Sequence, residues 1–230
     1  TFKDCSSLTT VTGLESVTSI GAEAFKNCNA LTGDSTRLSM PELLSIGNSA
    51  FENTPIRSLT AVNVEKIGEY AFAESNLRKA EFPAATLIGK YAFFNNFALS
   101  SAEFGAVTEM GEFVFLLESN SQNSLGALEK VVFGNGTSVI GDNAFLLHAL
   151  DEQGEHWGYY YRQSLKTVTL PDTVKKIGAM AFAFVTDLKQ VNLTGVEEIG
   201  AQAFYNAVSL TAADISSAKT IGLMAFADCA

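Results

Sequence analysis

Runs of basic residues are missing from this sequence. Nowhere do five or six lysines or arginines stand together, and the formal net charge is −10. A polyphosphate backbone or an anionic membrane surface would be repelled overall, so nucleic acid is not an expected partner. Also missing is any stretch approaching 18 unbroken apolar residues, the minimum for a spanning helix, although 47% of the chain is apolar and only 17% charged. No membrane span is expected within these residues, and there is ample material for a continuous core. Cysteine is scarce: Cys5, Cys28 and Cys229 are odd in number and lack a framework spacing, which leaves the redox compartment open. Each stands three residues after a phenylalanine (Phe2, Phe25, Phe226), so all three read as small buried thiols at one repeat position. Equivalent side chains in a stack point in parallel and suit disulfide geometry poorly. Gly-x-Ser-x-Gly elbows, phosphate-binding glycine loops, dinucleotide fingerprints and the Gly-Gly-x-Gly-x-Asp calcium nonapeptide are all absent. No catalytic residue, cofactor or metal is assigned, and the chain is expected not to be an enzyme. Nor does it open with a basic segment, an apolar run and a cleavage site. Thr1-Phe2 falls inside a repeat, so the chain is expected to be part of a longer protein, cut mid-repeat at both ends.

What the sequence does have is one short phrase, said repeatedly. Ile199-Gly200-Ala201-Gln202-Ala203-Phe204 returns at Ile20, Ile46, Ile67, Ile88, Met110, Ile140, Ile177 and Ile221, and Phe2 is the end of one more copy. The cleanest unit reads Leu188, Val191, Leu193, Val196, Ile199, Gly200, Ala203, Phe204, and Leu210 opens the next, a period of 22 residues. Only Val191 and Leu193 are spaced by two, which predicts one short strand of three to five residues per unit, with Gln190, Asn192 and Thr194 on its other face. Such a unit buries nothing alone, so the units must stack strand beside strand over a shared core. The expected fold is therefore a β/α solenoid, a single domain over residues 1–230 with one short parallel strand per repeat. Its crossovers should be right-handed, and Gly-x-x-Ala-Phe leaves room for only a turn or two of helix, or an irregular segment, on the return path. The glycine is expected to give a tight corner. The phenylalanines in register should form an internal stack. Asp4, Asn27, Asn53, Glu74, Asn95, Asn206 and Asp228, two residues after each phenylalanine, mark a turn.

The phrase Leu-x-x-Val-x-Leu-x-x-Val-x-x-Ile-Gly-x-x-Ala-Phe, followed in the best copies by Asn-Cys and the next Leu, resembles the BspA-like leucine-rich repeat family over essentially the whole chain. The stretch from Leu165 to Gly178 is especially similar to that family's consensus. The resemblance implies a leucine-rich-repeat superhelix in a secreted or cell-surface protein. Better-known members bind host matrix proteins or mediate adhesion, and the family carries no shared catalytic residues. Irregular repeat lengths depart from the pattern.

Those departures are where function is expected. The step from ladder phenylalanine to the next leucine is six residues from Phe93 to Leu99, but thirteen from Phe115 to Leu128 and twenty from Phe145 to Leu165. Insertions at about 116–127 and 146–164 should therefore protrude side by side from one edge. The longer one holds His156, Trp157, Tyr159, Tyr160 and Tyr161, residue types that supply rigid amphipathic contact area, and these are candidate partner-binding residues unless they fold back as a lid. His148, Asp151, Glu152, Glu155 and His156 have spacings that could line a helical face, but Gly154 interrupts it and no zinc signature results. Outward sheet positions, among them Glu81, Glu103, Lys130 and Asn192, complete the candidate set as a mostly polar surface rather than a pocket. The expected partner is a protein, which the resemblance extends to proteins of the host matrix, or a glycan stacked on the aromatics of the 146–164 insertion.

Overall fold

The computed structural model describes residues 1–32, 36–119, 126–149 and 164–229. Within them the repeats stack as layers, and each layer contributes to two ladders of short parallel strands. One is the ladder expected from Val-x-Leu: Lys79–Phe82, Ser101–Phe104, Lys130–Phe133 and Thr167–Thr169 are hydrogen-bonded neighbours in that order. Arg37–Ser39 pairs with Ser58–Thr60 in the same way further up the chain, and a bridge joins Gln190 to Ala212. Register is uniform, with Ala80, Ala102, Val131 and Val168 side by side on the buried face and Lys79, Glu81, Glu103 and Lys130 outward.

The second ladder was not expected. Two-residue strands ending on the repeat isoleucine, such as Ser45–Ile46, Lys66–Ile67 and Leu87–Ile88, pair in parallel from layer to layer, and the same occurs from Val139–Ile140 to Thr220–Ile221. The layers thus hold two strands where the spacing argued for one. A two-residue strand contains no alternation, so a period-two pattern has nothing to register.

Among the described residues there is no α-helix, and the return path is a string of turns. Residues two before and two after the ladder phenylalanine adopt left-handed backbone conformations: Glu23 (φ 56°) and Asn27 (φ 61°) flank Phe25, and Gln202 (φ 56°) and Asn206 (φ 55°) flank Phe204. A left-handed residue at every fourth position breaks any α-helix before it begins. Instead Lys26 N–H donates to Glu23 O (3.3 Å) and Cys28 N–H to Phe25 O (3.1 Å) within the layer, while Phe25 N–H donates to Ala50 O (2.8 Å) of the next. The same alternation recurs along the chain, so the return path forms a third line of backbone hydrogen bonds between layers.

Between these walls runs the phenylalanine stack. Rings from Phe2 through Phe25, Phe51, Phe72, Phe93, Phe115, Phe145, Phe182 and Phe204 to Phe226 meet face to face, for example Phe72–Phe93 at 5.4 Å and 6° and Phe145–Phe182 at 5.0 Å and 14°. Phe82, Phe104 and Phe133, at the leucine position of three central strands, add a second internal column.

Three residues beyond the ladder phenylalanine lies a line of small side chains that return hydrogen bonds to the phenylalanine carbonyls. Cys28 Sγ donates to Phe2 O (3.0 Å), Thr54 Oγ1 to Phe51 O (2.7 Å), Asn96 Nδ2 to Phe72 O (2.6 Å) and Cys229 Sγ to Phe204 O (3.2 Å). All three thiols are free, but only Cys28 is buried; Cys5, expected to be buried, is exposed and Cys229 is half-buried. Burial pushes the Cys28 thiol above its ordinary pKa. Iodoacetamide should therefore alkylate exposed Cys5 in the native state and leave Cys28 unmodified until the chain is denatured, as read by peptide mass spectrometry. Equal labelling of both in the native state would contradict this placement.

Candidate interaction surface

The outward face of the Val-x-Leu ladder is polar and flat where it carries most charge. Lys79, Glu81, Glu103 and Lys130 are exposed; Glu81 and Glu103 sit directly opposite on neighbouring strands, and Lys79 Nζ lies 3.9 Å from Glu81 Oε1. Exposed pairs of this kind contribute little to folding. Asn192 is committed within the fold. Its Nδ2 donates to Asp172 Oδ1 (2.8 Å) and Leu170 O (3.2 Å), and its Oδ1 accepts from Thr194 N–H (3.1 Å). Around it the face is not the featureless surface expected from the sequence: an open depression of about 870 Å³, lined by Thr167, Thr169, Lys189, Asn192, Thr211 and Asp214 among others, occupies the end of the sheet.

His156, Trp157, Tyr159, Tyr160 and Tyr161 lie outside the described residues, as do Asp151, Glu152 and Glu155. The roots of the two insertions are described. Leu117–Ser119 and Leu147–Ala149 form a parallel pair, Leu117 opposite Leu147 and Glu118 opposite His148, so the insertions leave neighbouring layers side by side at their base. Asn95 Oδ1 accepts the Glu118 N–H (2.7 Å) and anchors the first root. The reason these layers depart from the others is visible in one residue. Where other layers place Asn, Asp or Glu, or in one case Phe184, in a left-handed turn, these two place leucine in a strand.

Beside the roots lies a feature that the sequence reading missed. Tyr70, Tyr91 and Phe113, each two residues before a ladder phenylalanine, stack on the outside of the return path, Tyr70–Tyr91 at 4.8 Å and Tyr91–Phe113 at 5.1 Å. Phe94 meets Tyr91 edge-on at 5.6 Å, and Lys90 Nζ stands 5.3 Å and 5.5 Å from the Tyr91 and Phe113 ring centres. The hydrogen bond from Lys90 to Glu112 raises the lysine pKa and keeps the cation over the rings. The column continues into the buried cluster of Leu116, Leu146, Ala183 and Phe184. An aromatic two residues before the ladder phenylalanine in three consecutive repeats was the available signal. Among the described residues, no group of three His, Cys, Asp or Glu side chains could hold a metal ion, and no helix is long and apolar enough to cross a membrane.

Parallel ladders, uniform register and one phenylalanine per layer define a repeat protein with a solenoid-like leucine-rich-repeat fold. The chain belongs to the BspA type leucine rich repeat family, whose pattern it matches in six copies over residues 1–121, 44–151 and 157–230. No curated protein sequence matches it. Among solved structures it is similar to the pneumococcal vaccine antigen PcpA, at 20% identity and a TM-score of 0.47, covering 85% of this chain and 61% of that one. It is also similar to a leucine rich cell surface protein from Faecalibacterium prausnitzii, at 22% identity and a TM-score of 0.45, covering 99% of this chain and 65% of that one. A leucine-rich repeat protein from Bacteroides ovatus is 20% identical with a TM-score of 0.39, covering 99% of this chain and 78% of that one. The chain thus spans less than two thirds of the length of PcpA.

Proposed function

We propose that this chain is a non-enzymatic recognition module, a single repeat domain over residues 1–230 that works at a cell surface or in secreted form and binds a macromolecular partner, in the first place a protein. The observation that carries this is the pairing of Leu117–Ser119 with Leu147–Ala149, which brings the bases of both insertions together on one edge of a rigid stack. The interior of the stack is filled by phenylalanine, and its outward strand positions are mostly polar. Loops raised on a rigid scaffold are the usual carriers of recognition. His156, Trp157, Tyr159, Tyr160 and Tyr161 supply the contact types for a hot spot, and Glu81, Glu103 and Lys130 set approach rates rather than affinity.

Replacing residues 150–162 by a short linkage tests the proposal. Loop-closure entropy changes slowly with length, and neighbouring repeats close with six-residue steps, so the deletion should leave a single cooperative melt and abolish capture on an array of matrix proteins and glycans. Unfolding of the central repeats would instead show that these aromatics belong to the core. Retained binding would move the site to the sheet face. Should the array return neutral glycans alone, the rings are sugar-stacking platforms.

A further inference from the structure

The Val-x-Leu ladder breaks between Lys166 and Lys189. Arg57 N–H donates to Thr36 O (2.6 Å), Arg78 to Arg57 (3.0 Å), Ser100 to Arg78 (2.9 Å), Glu129 to Ser100 (2.9 Å), Lys166 to Glu129 (3.0 Å) and Thr211 to Lys189 (3.2 Å), but no such bond joins Lys189 to Lys166. Among the described residues Thr167–Thr169 is accordingly the last strand of its sheet, and beyond it only the bridge between Gln190 and Ala212 remains. The cause is local. At the second outward position, where earlier layers carry Glu81, Glu103, Val132 and Thr169, the next two carry Asn192 and Asp214. Each turns its side chain back on its own chain: Thr194 N–H donates to Asn192 Oδ1 (3.1 Å), and Ser216 N–H to Asp214 Oδ1 (3.0 Å). Such turns compete with a ladder and end a strand early, and asparagine and aspartate are poor strand formers besides. The break is confined to this wall, because Ile177 still pairs with Ile199 and Phe182 N–H still donates to Ala203 O (2.7 Å).

The open depression of about 870 Å³ lies over this break. In a parallel sheet each strand turns half of its main-chain groups to either side, so those of Thr167–Thr169 that point away from Lys130–Phe133 have no strand to bond. Leu170 O accepts from Asn192 Nδ2 (3.2 Å), a clamp that a strand entering the gap would have to break, so an extended peptide is not the occupant. Beside these groups stand the hydroxyls of Thr167 and Thr169 and the amide of Gln190, all exposed, with the edges of Val168 and Val191 between them. Charge is balanced: Lys166 is held by Glu129 at 2.8 Å, which leaves Lys189 towards one side of the depression and Asp214 towards the other. Polyanions and polycations are therefore not favoured. Among the described residues no aromatic or arginine side chain lines it, so the anchors of a protein interface are lacking. A ligand that fits must offer donors and acceptors close together, show apolar C–H between them and carry no net charge. Pyranose rings do all three, since every hydroxyl both donates and accepts. The volume lies within the range of about 300–1,000 Å³ usual for ligand sites, which is room for a short oligosaccharide.

We propose that the break in the ladder is a binding site for a neutral oligosaccharide, held by Thr167, Thr169 and Gln190 and by the main-chain groups that the absent strand pairing leaves open. It uses neither insertion and goes beyond the partner-binding reading above, whose sugar alternative rests on aromatic rings.

The test is isothermal titration calorimetry of the whole chain with maltotetraose, cellotetraose and mannotetraose, at low and at physiological salt. At least one should bind saturably, with an affinity that salt leaves unchanged because the ligand carries no charge. The double variant Thr167→Val, Thr169→Val keeps β-branched side chains on the strand and removes both hydroxyls, so it should lose about tenfold or more in affinity. Ser58→Ala with Thr60→Val, the same two positions on a strand outside the depression, should bind as the parent does. Melting curves confirm folding, and Gln190→Ala, with an expected loss of about threefold, serves if the double variant does not fold. Saturable binding by none of the three sugars, or a double variant that binds like the parent, overturns the proposal. So does tighter binding of an acetylated and amidated Gly-Ser octapeptide, which would make the break a site for a neutral peptide. Deleting residues 150–162 should leave the titration unchanged. Loss of sugar binding in a folded deletion variant overturns the proposal and places the sugar on the insertion, so the two readings fail separately.

Discussion

Gly200→Ala should destabilise this fold by about 3 kcal/mol or more, while Gly21→Ala, the same change at the same repeat position, should leave it unaltered. A Cβ built on Gly200 falls 2.4 Å from Ala179 N and 2.6 Å from Gly178 C, both backbone atoms of the preceding layer. At Gly89 it falls 2.5 Å from Glu69 N and 2.5 Å from Gly68 C. On Gly21 it meets nothing within 4 Å. None of these three glycines has a positive φ, so the expectation of a tight corner needing glycine's conformational freedom is corrected. Glycine is required because the layers approach too closely for a methyl group. Gly200 N–H donates to Ile177 O at 2.9 Å, and that bond draws the two corners together. A rotamer change relieves an overpacked side chain, but backbone against backbone yields only if the ladder opens. For a chain of this size the penalty corresponds to a fall in Tm of about 6–12 °C. Thermal melts of Gly21→Ala, Gly89→Ala and Gly200→Ala read it directly, and equal Tm values in all three would remove close approach as the reason for the glycine.

The parts of this fold legible in the sequence were those carried by one residue type per layer. Phenylalanine gave the stack, Val-x-Leu gave the main sheet, and Asn27, Asn53, Asn95 and Asn206 marked left-handed turns because asparagine tolerates that conformation. The matching left-handed position two residues before the phenylalanine was invisible. It is filled by Glu23, Ser49, Tyr70, Phe113, Asn143 and Met180 among others, which share no chemistry, so its backbone is imposed by the layers on either side. Holding Tyr70, Tyr91 and Phe113 there costs roughly 1–2 kcal/mol each, and their mutual stacking offsets part of it. Of the candidate binding residues, Glu81, Glu103, Lys130 and Asn192 stand exposed on the outward face as the alternation required, and Asn192 is in addition tied to Asp172. No pattern in the chain marked this outward asparagine as one that also clamps the neighbouring layer.

Phe93→Ala should cost about 3–5 kcal/mol, the full range for emptying a buried aromatic site, and should exceed the cost of Phe226→Ala clearly. Phe93 is 1% exposed and touches four rings: Phe72 and Phe115 stack on it at 5.4 Å, while Phe82 and Phe104 lean against it at 6.3 Å and 5.8 Å. Removing it leaves a void whose walls are held by hydrogen-bonded ladders on three sides, so collapse recovers little of the lost contact. Phe226 has one stacked neighbour, Phe204 at 5.1 Å, and is half-buried, so its truncation opens towards solvent rather than creating a cavity. Phe182, stacked on both sides at 5.0 Å and 5.1 Å without the second column, should fall between the two. Because each layer contacts only its neighbours, the loss at Phe93 also weakens coupling between the halves of the stack. Its denaturant unfolding should therefore broaden into two steps, while Phe226→Ala frays one end and keeps a single transition. Chemical denaturation of the three variants with both circular dichroism and tyrosine fluorescence tests this ordering. Equal midpoints for Phe93→Ala and Phe226→Ala would mean that the ring stack is a consequence of the backbone ladders and contributes little to holding them.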